Sequence, residues 1–290
     1  MLVLSAIWGA SFLFIRVADY TIPPTGVVFG RLVLASVAVT AYAIAMRRTA
    51  GLSEAMRRPV VILIGVVNAA FPFLCYAIAE TRVTSAIAGI ANATTPLFGA
   101  VVAHLWPKDR GGESLTARRA IGLLVGFAGV VTLVASTGMS GNVDALGLAL
   151  VLVAPACYAF GSLLSRSAFA HTSPLVPAAT TTAWGAVVLI PLAGLTGRPA
   201  GMVSLASVAS LLALGILGTG VAYIISFRLL ANVGAPAMLT VTLIMPVFAV
   251  LYGHVLLGEP VPPTAVIALI LILGGVAFGN RAPGSSRPSL

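Results

Sequence analysis

Carboxylates are the scarcest chemistry in this sequence. Seven aspartates and glutamates stand against sixteen lysines and arginines among 290 residues, and charged residues of both signs make up only 8%. A soluble domain needs more surface charge than that, which excludes a water-soluble globular fold. Other absences exclude particular chemistries. No Gly-x-x-x-x-Gly-Lys-Ser/Thr loop is present, so the chain holds no ATP-driven pump of that kind. No His-Glu-x-x-His run, no cysteine and histidine cluster at metal-ligand spacing and no pair of carboxylates at the centre of an apolar run is found. That argues against a membrane metalloprotease or a metal-dependent prenyl-transfer enzyme, and no cofactor or catalytic residue is implied. The two cysteines, Cys75 and Cys157, fall inside apolar runs and read as small packed side chains, not as a disulfide.

What the chain has in abundance is apolar sequence, at 59% of residues and a mean hydropathy of +1.09. Runs of about 20 residues, the length that crosses a bilayer, recur ten times: 2–18, 24–46, 59–79, 83–106, 118–136, 145–164, 174–195, 204–230, 235–257 and 262–280. They lack the alternation of barrel strands, and backbone groups in hydrocarbon must then be satisfied within helices. The expected fold is all-α, a polytopic membrane protein of ten transmembrane helices. A net charge of +9 would suggest nucleic acid in a soluble chain. Here the positive residues follow the membrane. With the N-terminus inside, Arg47, Arg48, Arg57, Arg58, Lys108, Arg110, Arg118, Arg119, Arg166, Arg228, Arg281 and Arg287 face the cytoplasm, twelve of sixteen. Arg82, Arg198, Arg16 and Arg31 fall on the outer side. The positive-inside rule thus predicts both termini in the cytoplasm and a bilayer, not a nucleic acid, as partner. Without a basic region before it, the first run reads as an anchor, not a cleaved signal.

The chain also repeats itself. An offset of 150 residues matches Ala6, Leu13, Arg16 and Ala18 to Ala156, Leu163, Arg166 and Ala168, and places Trp8 on Tyr158. It continues through Pro24 and Pro174, Val83 and Val233, Pro96 and Pro246, Phe98 and Phe248, and His104 and His254. Past the KDRG stretch the offset becomes 146, pairing Glu113 with Glu259, Ile121 with Ile267 and Gly129 with Gly275. Proline, histidine, glutamate and arginine seldom coincide by chance at a shared offset in apolar helices. Each half holds five spans, an odd number, so the second half enters the membrane from the other side. The expected units are residues 1–137 and 145–280, two inverted five-helix repeats, followed by a cytoplasmic tail at 281–290. Inverted repeats characterise secondary transporters, whose substrate site lies near the midplane between the halves.

The segments WGASFLFIR, PPTGVVFGR, ATTPLFGAVVAH and LIMPVFAVLYGH, and the GE before the last helix, resemble the drug/metabolite transporter superfamily in its ten-helix EamA-type branch. The resemblance covers nearly the whole chain. It implies the ten-helix fold, a bacterial inner-membrane location, efflux of amino acids or related metabolites, and a central cavity lined by the first, third, fourth, sixth, eighth and ninth helices. Ala145 pairs with a position six residues before Met1, so the true N-terminus is expected upstream.

Candidate substrate-binding residues follow from depth. Trp8, Asn68, Asn92, Thr95, Tyr158, Thr219 and Thr242 lie near the middle of their spans and none is ionisable at neutral pH. Asn92 and Thr242 sit on matching stripes of small residues, Ser85, Gly89, Asn92, Pro96, Gly99 and Ala103 against Ala235, Leu239, Thr242, Pro246, Ala249 and Gly253. Such stripes also serve plain helix packing. Pro96 and Pro246 are symmetry mates at mid-helix, each removing a backbone donor, which marks them as hinges or static kinks. Arg31 is the one cation well inside a span. It can meet a substrate carboxylate, pair with Glu80 or snorkel. His104, His254 and Glu259 stand at helix ends as gate or proton-relay groups or as interfacial anchors. The Gly-x-x-x-Gly pairs Gly122, Gly126 and Gly275, Gly279 predict close packing inside the bundle. The functional expectation is a secondary transporter for a small polar metabolite, with a lipid or lipid-precursor flippase of the same architecture as the alternative.

Overall fold

The computed structural model describes residues 1–108, 112, 114–138, 144–170, 172–233 and 235–280; the expected tail and Glu113 lie outside them. All regular elements among these residues are helical. Ten apolar helices run in order: α1 Leu2–Ala18, α2 Pro24–Ala45, α3 Pro59–Glu80, α4 Ser85–Leu105, α5 Ala117–Gly138, α6 Ala145–Ala168, α7 Leu175–Thr196, α8 205–233, α9 Ala235–Leu257 and α10 Pro263–Gly279. Eight are long and apolar enough to span a bilayer, and α1 and α10 have 17 residues each. At 1.5 Å per residue that is about 25 Å, the short end of a span. The protein is a polytopic helical membrane protein.

Local chemistry sets the helix starts. Proline opens α2, α3 and α10, where its missing N–H costs nothing. Side chains cap three others: Thr84 accepts from the Ile87 amide at 3.3 Å, Asp144 from Gly147 at 2.8 Å and Ser204 from Ser207 at 3.1 Å. Each such cap contributes about 1 kcal/mol. The Asp144 carboxyl is held below its usual range by the Gly147 amide and by Arg82.

Polar contacts sort the helix ends onto two faces. The face bearing Met1, here the terminal face, joins Arg58 to the Ala168 carbonyl at 2.8 Å, Arg228 to the Tyr42 hydroxyl and Ser5 to the Val241 carbonyl at 3.2 Å. The far face joins Arg16 to the Glu80 carbonyl, Ser207 to the Val17 carbonyl at 2.9 Å, Thr196 to Thr25 at 3.1 Å and Arg82 to Asp144 at 2.8 Å.

The two halves pack as an inverted pair. Helix α1 lies on α9 as α6 lies on α4, α2 on α8 as α7 on α3, and α3 on α6 as α8 on α1; the pairs α2–α7 and α5–α10 are their own counterparts. Symmetry extends to single residues. A Cβ added at Gly65 would meet the Trp184 Cβ at 2.7 Å, and one at its mate Gly215 would meet the Leu34 Cβ at 2.6 Å. In the α5–α10 pair, a Cβ at Gly122 would reach the Gly275 carbonyl at 2.5 Å, and one at Gly129 the Ala268 carbonyl at 2.9 Å. The Gly-x-x-x-Gly residues therefore pack within the bundle. Both α3 and α8 widen into a π-helical stretch, Val66–Ala70 and Ala213–Val221, at positions the 150-residue offset superposes. Sequence gave no hint of these turns, which recur at functional sites.

Candidate functional site

Asn92 and Tyr158 meet in an aromatic and amide centre between α1, α3, α4 and α6. The Tyr76 hydroxyl donates to Asn92 Oδ1 at 2.7 Å, and the Asn92 amide lies 3.8 Å from the Met245 sulfur on α9, a weak acceptor. Tyr76 stacks on Tyr158 with centroids 6.3 Å apart and meets Phe12 edge-on at 5.3 Å; Phe73 meets Tyr158 edge-on at 6.4 Å. Trp8 packs on the extended apolar core and on the cluster of Leu4, Ala222 and Val241. Asn92 and Tyr158 thus share one neighbourhood. Tyr76 and Phe73, absent from the expected set, complete it. Tyr76 lies on one stripe of α3 with Asn68 and Pro72 at a spacing of four, and Phe73 lies off it.

Arg31 comes to this centre from α2. It is 7% exposed, its Nε donates to Thr219 Oγ1 at 2.7 Å and its guanidinium carbon lies 3.7 Å from the Phe73 ring centroid. A desolvated cation over an aromatic face gains about 2 kcal/mol. Thr219 in turn donates to the Leu214 carbonyl at 3.1 Å, so the π stretch of α8 aims the acceptor. Arg31 neither snorkels nor pairs with Glu80. Arg82, not Arg31, pairs with a carboxylate, that of Asp144, and the Glu80 carboxyl is buried without a hydrogen bond.

The remaining expected residues are used locally. Asn68 donates to Ser165 Oγ at 2.9 Å and ties α3 to α6. Thr242 donates to the Met238 carbonyl at 3.0 Å, within its own helix. Thr95 donates to the Asn92 carbonyl at 2.8 Å. That carbonyl is the one Pro96 leaves without an amide partner.

At this point α4 breaks, into Ser85–Asn92 and Thr95–Leu105, whereas α9 runs through Pro246 without interruption. The break divides the stripe of small residues. Toward the far face, a Cβ at Gly89 would overlap the Ala249 Cβ, one at Gly253 would lie 2.8 Å from Ser85 Oγ, and one at Gly9 of α1 would lie 2.5 Å from the Phe248 Cβ. Toward the terminal face, Thr95–Leu105 packs on α6 and α5, and no described atom lies within 4 Å of a Cβ built on Gly99. The symmetry mate of the Gly89–Ala249 contact is Gly99 against position 239.

The helix-end residues fasten the closed side. Gly258, with φ +66°, turns the chain back after α9, and Glu259 then accepts from the Ser85 amide at 3.0 Å, the Ser85 hydroxyl at 2.8 Å and the Ala86 amide at 3.1 Å. A carboxylate on free amides at a helix start is favoured by both hydrogen bonding and the helix dipole. His254 Nδ1 lies 3.0 Å from the Glu259 backbone oxygen, not its carboxylate; on the opposite, terminal face His104 Nδ1 accepts from the Leu115 amide at 3.2 Å.

The sequence matches the EamA-like transporter family over residues 1–135 and 145–281. Similar curated proteins include the uncharacterized transporter YdfC of Bacillus subtilis, 23% identical over 94% of this chain and 87% of its own length. The uncharacterized inner membrane transporter YedA of Escherichia coli is 27% identical over 94% and 86%. An uncharacterized transporter of Archaeoglobus fulgidus is 28% identical over 93% and 92%. A solved crystal structure shares the fold with a TM-score of 0.68 at 23% identity, covering 96% of this chain and 94% of the other. The family match over both halves, on a ten-helix inverted-repeat bundle, makes this chain a membrane transporter of the EamA-like family, within the drug/metabolite transporter superfamily.

Proposed function

We propose that the protein is a secondary transporter that carries a small polar metabolite by alternating access, exporting amino acids or related compounds across a bacterial inner membrane. The observation that carries this reading is the broken symmetry at the α4–α9 seam, closed at Gly89 and Ala249, while no described atom lies within 4 Å of a Cβ at Gly99. Inverted repeats exchange conformations. In the counterpart state the far half would part, and Thr95, Gly99 and Ala103 would meet positions 242, 239 and 235. The units 1–137 and 145–280 are the exchanging halves, with Pro96 and Pro246 as their hinges. Following the placement of positive residues, the terminal face is cytoplasmic and the present state opens inward.

Trp8, Asn92, Thr95, Tyr158 and Thr242 form the wall of the path, and Asn68 braces it. Arg31, set by Thr219, supplies a positive charge that no described carboxylate pairs with, which suits a substrate carboxylate. A flippase needs a lateral opening with polar groups for a headgroup. The groove of about 240 Å³ between α2 and α7 is lined by Phe29, Val33, Val37, Val187 and Ile190 with Ser36 as its polar residue, which favours the metabolite.

The test is reconstitution into proteoliposomes loaded with a panel of labelled amino acids, together with thiol accessibility, from each side, of single cysteines at positions 88 and 103. The two accessibilities should shift in opposite directions when substrate is added. Accessibilities that ignore every substrate in the panel, with no efflux, would sink the reading.

A further inference from the structure

The far face hides two carboxyl groups that no contact described so far employs. Helices α1 and α3 end side by side there, held by Arg16 on the Glu80 carbonyl. The Glu80 side chain is 0% exposed, and neither its oxygens nor those of Asp19, the residue that ends α1, have a hydrogen-bond partner. The charged and titratable groups around them are occupied elsewhere. Arg16 serves the carbonyl, Arg31 serves Thr219 and Phe73, and Arg82 serves Asp144. The Glu259 carboxylate takes its three donors from Ser85 and Ala86, and the Tyr76 hydroxyl, on the turn before Glu80, goes to Asn92. From α8 comes Ser207, whose hydroxyl is on Val17.

An ionised carboxylate buried without a donor costs several kcal/mol, and the neutral acid far less. We propose that closing the far face captures protons on Asp19 and Glu80, which makes these two carboxyls a proton-binding site that ties the far gate to the pH of the solution outside it. The proton comes from bulk water as the face closes, forms an O–H bond on the carboxyl, and returns to that water when the face opens. No other reactant is needed. Burial agrees in direction for the residue outside the spans: it pushes the Asp19 carboxyl from 3.8 up to about 8, against the pull of Arg16. A hydrated carboxyl in the open state keeps its ordinary value, so closure binds protons between those limits. Within that window each group that protonates on closing makes the closed state about tenfold less favoured for every unit of pH gained.

The inference rests on the two-state reading of the far seam. Its test uses spin labels at Thr81→Cys and Leu256→Cys on the far face, with Cys75 and Cys157 replaced by serine, in lipid nanodiscs from about pH 5 to about pH 9. The population with the longer distance should grow as pH rises. In the double variant Asp19→Asn, Glu80→Gln, neutral at every pH, it should stay small and flat. Infrared difference spectra of the unsubstituted protein should show the carbonyl stretch of a protonated carboxyl that fades over the same range. A wild-type distance distribution or carboxyl band that ignores pH overturns the proposal, as does a double variant with the wild-type response. Efflux of labelled amino acids that proceeds at the same rate at every far-side pH overturns it while leaving transport intact. Distances that respond to pH with no efflux from the panel uphold the site and remove the assigned cargo.

Discussion

The two ends of the α4–α9 seam are built from matching residues and do different things. Toward the far face, Ser85 and Gly89 lie against Gly253 and Ala249, and Glu259 fastens the join with three hydrogen bonds. Toward the terminal face α4 is broken at Ala93 and Thr94, and its second part, which carries the mates Gly99 and Ala103, packs on α6 and α5. The scaffold behind them is symmetric down to Gly65 with Trp184 and Gly215 with Leu34. A symmetric frame with one asymmetric seam is what a two-state device requires, because the second state costs no new architecture.

The sharpest way to break the comparison is to fill one end. Gly89→Leu has no room in the present state and should hold the far face open; Gly99→Leu, in open space, should block the counterpart instead. Overpacking of about 1–3 kcal/mol shifts a two-state balance by about tenfold to a hundredfold. Both variants should lose efflux, while thiol reagents report opposite sides as accessible. Next in size is the fastening. Glu259→Gln removes the charge from hydrogen bonds worth about 1.5–3 kcal/mol, and should raise far-side accessibility of a cysteine at position 88 about tenfold without lowering folded yield. A smaller, more selective effect is expected of Arg31→Lys, which keeps the charge and loses the planar contact with Phe73 and Thr219. Binding of carboxylate substrates, read by thermal shift on the purified protein, should weaken several-fold, and that of neutral analogues should not change. The smallest effect belongs to Pro246→Ala, since α9 already runs through that position without interruption. Efflux should slow less than it does in Pro96→Ala, where a returned amide would compete with the Thr95 hydroxyl for the Asn92 carbonyl.

That last contrast marks where sequence stops being legible. Ten spans, the inverted repeat and the glycine contact between α5 and α10 follow from run length, offset and spacing, which are properties of the chain alone. Pro96 and Pro246 look alike by the same rules. What separates them is the preceding residue: Thr95 carries a hydroxyl that satisfies the freed carbonyl of a broken helix, and its mate Met245 does not. Depth and polarity found Asn92 and Tyr158 but passed over Tyr76 and Phe73, because an aromatic residue in an apolar run is indistinguishable from core until a partner is seen. The environment of Arg31 was out of reach for another reason. Its acceptor, Thr219, is presented by a π turn that no residue pattern announces.

The α5–α10 pair has a consequence for reading mutants. Its close contacts, Gly275 on the Gly122 carbonyl and Gly129 on that of Ala268, are exchanged with each other when the repeats are exchanged. Whatever is done to that pair weighs equally on both conformations. Lesions such as Gly122→Ala and Gly275→Ala should therefore appear as poor expression and lowered melting temperature, with accessibility from the two sides unchanged. They form a built-in reference class against which a variant elsewhere can be judged: one that matches their pattern has damaged the fold, and one that departs from it has touched the transport cycle.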